Sequence, residues 1–247
     1  ATALCQQFSL DTFYAVQNAS LTDTAKITVT YKNPDGTDKT TDGPYDIGPG
    51  QKKSIRTCNP SSGANMANFT GAAVIAAQGN APIVAIGKAQ NSGNAGTAGT
   101  ADVLTAFLGQ AQGYSKISLP FVRWANDADY DAPSNNGGKQ RSFIAVQNLE
   151  SGSIKVNAHY NDKDGKTVKT EVLTIAGNSK GNTSAAKADA LGQNGMSPGS
   201  FGYYLDNSFG GGVLLEAHPD NPTAKFIAIN RVQNPGAGED YNGIPVQ

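Results

Sequence analysis

The sequence contains the same unit twice, and this repeat limits the fold more than any other feature. Residues 13–18 read Phe-Tyr-Ala-Val-Gln-Asn and residues 143–148 read Phe-Ile-Ala-Val-Gln-Asn, at an offset of 143 minus 13, or 130. Further matches follow in the same order, so we predict two domains, copy one at residues 1–112 and copy two at residues 113–247. The further matches are residues 27–31 with 156–160, 69–75 with 209–215, and 83–86 with 226–229.

Short alternating segments predict strands in both copies. In copy one, Ile27, Val29 and Tyr31 alternate with polar residues, which is the period of a half-buried strand. Residues 33–36, Asn-Pro-Asp-Gly, have the composition of a hairpin turn, and residues 161–165 repeat it in copy two. We therefore predict an all-β protein of two tandem antiparallel β-sandwich domains of the immunoglobulin-like kind, with roughly seven strands each.

Two segments have the composition of short helices. Residues 183–192 contain an Ala-rich run of residues with high helix propensity, and residues 99–110 are the second candidate. Residues 116–123 read as the first strand of copy two, which places the junction between the copies at residues 106–115.

Charge and apolar patterning exclude two classes of partner. The 19 basic and 20 acidic residues give a net charge of −1, so attraction to nucleic acid is not expected. No apolar run approaches the roughly 20 residues of a membrane-spanning helix, and we predict no membrane span.

The first residue and the cysteines predict an exported protein. Residue 1 is Ala rather than Met, which suggests that a leader was removed. Cys5 and Cys58 are the only cysteines, and an even pair in an exported chain predicts one disulfide. The alternative is two unpaired buried thiols. We expect the protein to be extracellular or on the cell surface.

Strand and turn motifs follow one another in a fixed order through copy two. They are Leu119-Pro-Phe-Val, residues 144–148, Tyr160, Asp164-Gly165, Phe209, residues 227–229 and Tyr241-Asn-Gly243. This order resembles tandem β-sandwich repeat modules of bacterial cell-surface and extracellular proteins. The resemblance implies a sandwich fold and an exported, surface or appendage role, and it brings no catalytic residues. Copy one departs from the pattern at its start, where residues 4–10 stand in place of the Leu-Pro strand.

One motif is compatible with hydrolysis. Residues 177–181 match the G-x-S-x-G nucleophile elbow, with Ser179 as the nucleophile and His159 or His218 as a candidate base. The corresponding residues of copy one, 47–52, form a turn without a serine at the matching place, and the elbow requires a parallel sheet that the strand pattern does not provide. We therefore favour a turn here, and we predict no enzyme activity and no cofactor.

A polar loop in copy two offers candidate metal ligands. Asp127, Asp129 and Asp131 have the spacing of the first ligands of calcium loops. The Gly at the sixth position and the Glu at the twelfth are absent, since Ala132 and Gly138 stand there. We favour a solvated loop over a metal site, and calcium remains the alternative.

Glycans are a possible partner. Trp124, with Phe121 and Tyr130 near it, has the residue types of a sugar-stacking platform, although packing at the domain edge is the simpler interpretation. Sequons at Asn18, Asn68 and Asn182 are candidate sites of N-glycosylation.

These observations favour a structural function. We predict a non-enzymatic exported subunit that associates with itself into a filament or surface layer through β-strand edges. The alternative is a monomeric carbohydrate-binding or adhesive module. The predicted subunit contacts are the apolar residues of the two terminal segments, Leu4, Phe8, Leu10, Ile244 and Val246.

Overall fold

A computed structural model describes residues 2–7, 10–79, 81–91, 104–135, 139–162, 164–186, 209–234 and 237–246. The chain is all-β, as predicted, with one short helix, α1 (Asp127–Tyr130), in the described part. Copy one contributes the strands β1 (Thr2–Cys5), β2 (Leu10–Asn18), β3 (Ala25–Lys32), β4 (Asp38–Ile47), β5 (Lys52–Arg56), β6 (Phe69–Gln78), β7 (Ile83–Asn91) and β8 (Leu104–Leu108). Copy two contributes β9 (Lys116–Trp124), β10 (Arg141–Asn148), β11 (Ile154–Asn161), β12 (Thr167–Ile175), β13 (Lys180–Ser184), β14 (Phe209–Ala217), β15 (Phe226–Asn234), β16 (Ala237–Asn242) and β17 (Ile244–Pro245).

The strands form three antiparallel sheets. Two are four-stranded and belong to copy one, in the orders β1-β6-β3-β4 and β5-β2-β7-β8. The third belongs to copy two and runs β12-β11-β14-β9-β10-β15-β16, with β13 paired to β10 and β17 paired to β9. Strand β9 therefore joins the two parts of this larger sheet.

Alternating apolar residues build a buried cluster in each copy. In β3, Ile27, Val29 and Tyr31 are fully buried and face the β2 residues Tyr14 and Val16 across the core of copy one. In copy two, Val156 and Tyr160 of β11 occupy the corresponding places. Burial of these apolar side chains stabilises the fold by removing their surface from water.

Both predicted hairpin turns are confirmed. The Gly36 N–H donates to the Asn33 carbonyl oxygen at 2.9 Å, and the Gly165 N–H donates to the Asp162 carbonyl oxygen at 3.0 Å. Each glycine has a positive φ, of 88° and 81°, which is why glycine suits both positions.

The helix prediction for residues 99–110 is wrong where the structure describes that segment. Its second half forms β8, which pairs with β7 from Leu104 to Leu108. Thr105 and Phe107 are buried while Ala106 and Leu108 are exposed, so period-two burial against β7 overrides the helix propensity of Ala and Leu. In the second predicted helix, Thr183 and Ser184 belong to β13, and residues 187–192 lie outside the described residues.

The predicted disulfide is present. It joins Cys5 on β1 to Cys58, which follows β5, across a sequence separation of 53. Within the described residues, no helix has the length and apolar character needed to cross a membrane.

Candidate functional site

The two copies share one strand register, which allows their strands to be compared position by position. In copy one, β1 pairs Ala3 with Gly71 and Cys5 with Phe69 of β6. In copy two, β9 pairs Val122 with Gly211 and Trp124 with Phe209 of β14. Strand β1 therefore corresponds to the second half of β9, and β6 corresponds to β14.

The first half of β9 completes the edge of β14. Leu119 pairs with Val213, Ser118 with Leu214 and Ile117 with Leu215. The side chains of Ile117 and Leu119 are fully buried in the core of copy two. On its other edge this half-strand pairs with β17, at Ile244 and Pro245.

No described strand fills the corresponding place in copy one. Strand β1 pairs with β6 only along residues 69–72, and β3 occupies the opposite edge of β6. We call the place beside residues 74–77 of β6, equivalent to the position of residues 116–119 of β9, the slot. Among the described residues, no strand pairs with this edge of β6, and an unpaired edge presents backbone groups to which a further strand can bond.

Residues around the slot are less buried than their counterparts in copy two. Ile75, Ala77, Ile83 and Ala85 are partly buried, although all four pack against the core of copy one. Their counterparts lie in the buried cluster of copy two, as Leu215, Ala217, Phe226 and Ala228. In copy two, Ile117 and Leu119 cover these residues. Among the described residues of copy one, none takes the place of Ile117 and Leu119.

The predicted subunit contacts differ in accessibility. Leu4 and Leu10 are buried within their own chain, where Leu4 belongs to β1, while Ile244 and Val246 are 55% and 38% exposed. Phe8 lies outside the described residues.

The slot itself was not identified from sequence. Residues 4–10 were expected in place of the Leu-Pro strand, whereas the strand registers align β1 with residues 121–124.

Ser179 does not form a nucleophile–base pair. Its side chain is buried and its Oγ donates to the Pro34 carbonyl oxygen of copy one. His159 Nδ1 lies 2.8 Å from Thr170 Oγ1, and His218 Nδ1 accepts from the Asp220 N–H at 3.1 Å. The elbow motif is thus a turn that contacts copy one.

The predicted aspartate loop does not gather carboxylates. Asp127 pairs with Arg141, and Asp129 lies 3.8 Å from Lys139 Nζ, while the Asn126 side chain caps the N-terminus of α1. Among the described residues, the one grouping of potential metal-ligand atoms is Cys5, Cys58 and Asp11, and its two sulfurs are joined in the disulfide.

The aromatic residues near this loop form a cluster centred on arginine. The Arg141 guanidinium lies 4.6 Å from the Trp124 ring centroid and 4.3 Å from that of Tyr130. Phe143 meets Trp124 edge-on at 5.8 Å, and Arg123 lies 4.4 Å from the Phe121 ring centroid. These cation–π contacts pack α1 and β9 onto β10.

The three sequons differ in access. Asn68 and Asn182 are exposed. The Asn18 side chain is fully buried, and its Nδ2 donates to the carbonyl oxygens of Asp23 and Ile47. A glycan on Asn18 is incompatible with this packing, because its amide nitrogen has no access to solvent.

Copy one and copy two contact each other through their turns and edge strands. A Cβ on Gly36 would lie 2.2 Å from the Gly177 carbonyl oxygen, so the hairpin turn of copy one sits directly on the turn that holds Ser179. The Asn242 side chain bonds both the N–H and the carbonyl oxygen of Leu108, at 2.9 and 2.8 Å. Thr105 Oγ1 donates to Asp240, which also binds Arg231.

Lys180 lies within this contact. Its Nζ is 3.4 Å from Thr70 Oγ1 of copy one. Burial, and after it the positive charge of Arg231, lower the pKa of Lys180 to about 8. The charged ammonium therefore weakens the contact at neutral pH.

Replacing Lys180 by methionine is expected to stabilise the chain at pH 7, and the gain is expected to shrink at high pH. Between pH 8 and the ordinary lysine pKa of 10.5, the unfolded wild type binds one more proton than the folded form, so wild-type stability rises with pH. The difference in free energy of unfolding between the variant and wild type should therefore narrow by about 3 kcal/mol over this range. Urea unfolding at several pH values measures it. Lys52→Met, at the exposed equivalent position, is the control, and an equal narrowing there would contradict the assignment to Lys180.

Searches of protein-family models, of curated proteins and of solved structures find no match to this chain.

Proposed function

We propose that this chain is a non-enzymatic structural protein, a subunit of an extracellular filament or surface layer that assembles through β-strand edges. It consists of two tandem immunoglobulin-like sandwich domains, residues 1–112 and 113–247. The slot beside residues 74–77 of β6 is the observation that carries the proposal. The disulfide supports an extracellular location, since such bonds persist in oxidising compartments.

A strand that fills the slot needs apolar side chains at alternate positions. In copy two its equivalent is filled by a segment whose first and third apolar side chains, Ile117 and Leu119, enter the core. A strand of that pattern in copy one would pair with β6 and cover Ile75 and Ala77. Burial of apolar surface and new backbone hydrogen bonds would both favour its binding.

A second copy of this chain is the proposed source of the strand. The predicted contact residues Ile244 and Val246 are exposed and alternate as Ile117 and Leu119 do, so the C-terminal segment of a second copy has the required pattern. The net charge of −1 creates little repulsion between copies. A strand given by one subunit to the next is a heterologous contact, and repetition of that contact builds an open filament when its rotation does not close a ring.

Filling the slot from within the same chain is expected to abolish assembly. The variant carries the sequence of residues 116–120, Lys-Ile-Ser-Leu-Pro, directly before Thr2, which is where β1 begins beside β6. The added strand should occupy the slot in cis and block the neighbour. We expect wild type to form filaments or layers by negative-stain electron microscopy, and the extended chain to remain monomeric by light scattering.

The matched control carries the same extension with Asp in place of both apolar residues that correspond to Ile117 and Leu119. Charged side chains cannot enter the core without a large desolvation cost, so this control should assemble like wild type. Assembly of the extended chain at the wild-type level, or a wild type that stays monomeric at every concentration, would refute the proposal.

A further inference from the structure

One face of copy two is covered by copy one within the same chain. This face, which we call the receiving face, lies on β10, β13 and β15. Thr2 of copy one closes a small gap over it, and Ile227 and Ile229 are only 5% and 8% exposed. The receiving face consists of Ala145, Gln147, Lys180, Ile227 and Ile229.

The strand register identifies the equivalent face of copy one. Gln147 pairs with Lys180 on one side and with Ile227 on the other. Gln17 pairs in the same way with Lys52 and Val84. Ala15 pairs with Ile86, as Ala145 pairs with Ile229. We call Ala15, Gln17, Lys52, Val84 and Ile86 the second receiving face.

The two faces share their chemistry but differ in exposure. Ala, Gln and Lys are identical at three positions, and the other two exchange Ile for Val or retain Ile. In copy one, however, Val84 is 51% and Ile86 is 42% exposed, and Gln17 and Lys52 are exposed as well. Val84 and Ile86 are two positions apart on one strand, so both side chains lie on the same face of the sheet, where their counterparts in copy two are covered.

Thr2 and the Gly36 turn of copy one cover the receiving face, and their counterparts in copy two are Phe121 and the Gly165 turn. The Gly36 turn of copy one sits on Gly177, whereas a Cβ on Gly165, at the equivalent turn of copy two, would meet nothing within 4 Å. By the β1 and β9 registers, Phe121 corresponds to Thr2, and its side chain is 37% exposed. At Gly165 and Phe121, copy two thus presents to solvent the positions that copy one uses at Gly36 and Thr2.

We infer that the second receiving face binds copy two of a second chain, in the way that copy two binds copy one within the chain. The partner's Phe121 and the turn at its Gly165 lie over Val84, Ile86 and the turn before Lys52. This inference rests on the proposed function and gives the assembly its polarity: copy two of each subunit contacts copy one of the next. Because the two surfaces differ, the contact is heterologous and can repeat from one subunit to the next.

Complementation between two defective variants tests the inference. Val84→Asp combined with Ile86→Asp removes the apolar part of the second receiving face, and Phe121→Lys alters the surface of copy two that would cover it. Each variant alone is expected to lose assembly beyond the monomer in sedimentation velocity. An equimolar mixture is expected to form dimers and nothing larger, because the first variant still carries an intact Phe121 and the second an intact face.

Val172→Asp is the control for adding a charge at an exposed strand position. Val172 lies on β12 and is 49% exposed. By the registers of β4 and β12, its counterpart in copy one is the exposed residue Pro44. Neither the second receiving face nor the surface that would cover it therefore includes Val172. The Val172→Asp variant should assemble like wild type. Suppose that the Val84/Ile86 variant assembles normally while the chain extended before Thr2 still fails to assemble. That result would overturn this inference and leave the proposed function intact. A wild type that never assembles would overturn both proposals.

Discussion

Replacing Cys5 and Cys58 together by alanine is expected to lower the free energy of unfolding of copy one by about 4 kcal/mol. The disulfide closes a loop across a sequence separation of 53, and opening it restores to the unfolded chain the conformational freedom that the bond removes. The bond also fixes β1 at the edge of β6, next to the slot. Urea unfolding followed by circular dichroism measures the change.

The single tryptophan supplies an internal control for this experiment. Trp124 lies in copy two, so its fluorescence follows that copy while circular dichroism follows both. We expect the free energy of unfolding to fall in the circular dichroism transition of copy one and to change less in the transition that Trp124 fluorescence reports. A double alanine variant within 1 kcal/mol of wild type would contradict a role for the bond in stability.

The strands and turns of this chain could be predicted because their signals are local. The alternation of Ile27, Val29 and Tyr31 and the Gly36 turn depend on residues close in sequence, and the structure retains both. The repeat added long-range information, because it related strands of copy two to strands already recognised in copy one.

Local signals failed where pairing with a distant strand decides the conformation. Residues 104–108 have helix-forming composition but lie beside β7, where burial of Phe107 favours a strand. The reverse case is α1, which is only four residues long and was not predicted. Its signals were Asn126 as the N-cap and Asp127 and Asp129 in the first turn.

The candidate surfaces could not be predicted, since sequence gives the chemistry of a face but not its cover. Ala15 and Gln17 match Ala145 and Gln147, yet Gln17 is exposed and Gln147 is buried. The difference arises only when copy one packs on copy two. Likewise, Ile75 and Leu215 are both apolar strand residues. Only the structure shows that residues 116–119 lie beside Leu215, and that Ile75 remains partly buried without an equivalent strand among the described residues.

Replacing Gly71 by alanine is expected to destabilise copy one by about 3 kcal/mol, because β6 and β3 approach each other too closely there for a side chain. A Cβ on Gly71 would lie 2.0 Å from the Lys32 carbonyl oxygen and 2.7 Å from the Phe69 ring. The Phe69 ring in turn packs edge-on against Tyr31, so relief of the clash disturbs the core.

Copy two provides a parallel test of the same geometry. A Cβ on Gly211 would lie 2.1 Å from the Asn161 carbonyl oxygen, and Phe209 packs edge-on against Tyr160. Gly211→Ala should therefore shift the Trp124 transition as Gly71→Ala shifts that of copy one. Gly152→Ala is the control, since a Cβ there meets nothing within 4 Å. If Gly71→Ala were as mild as Gly152→Ala, β6 could move away from β3 at little cost, and the edge beside the slot would be too pliable to hold a strand in a fixed register.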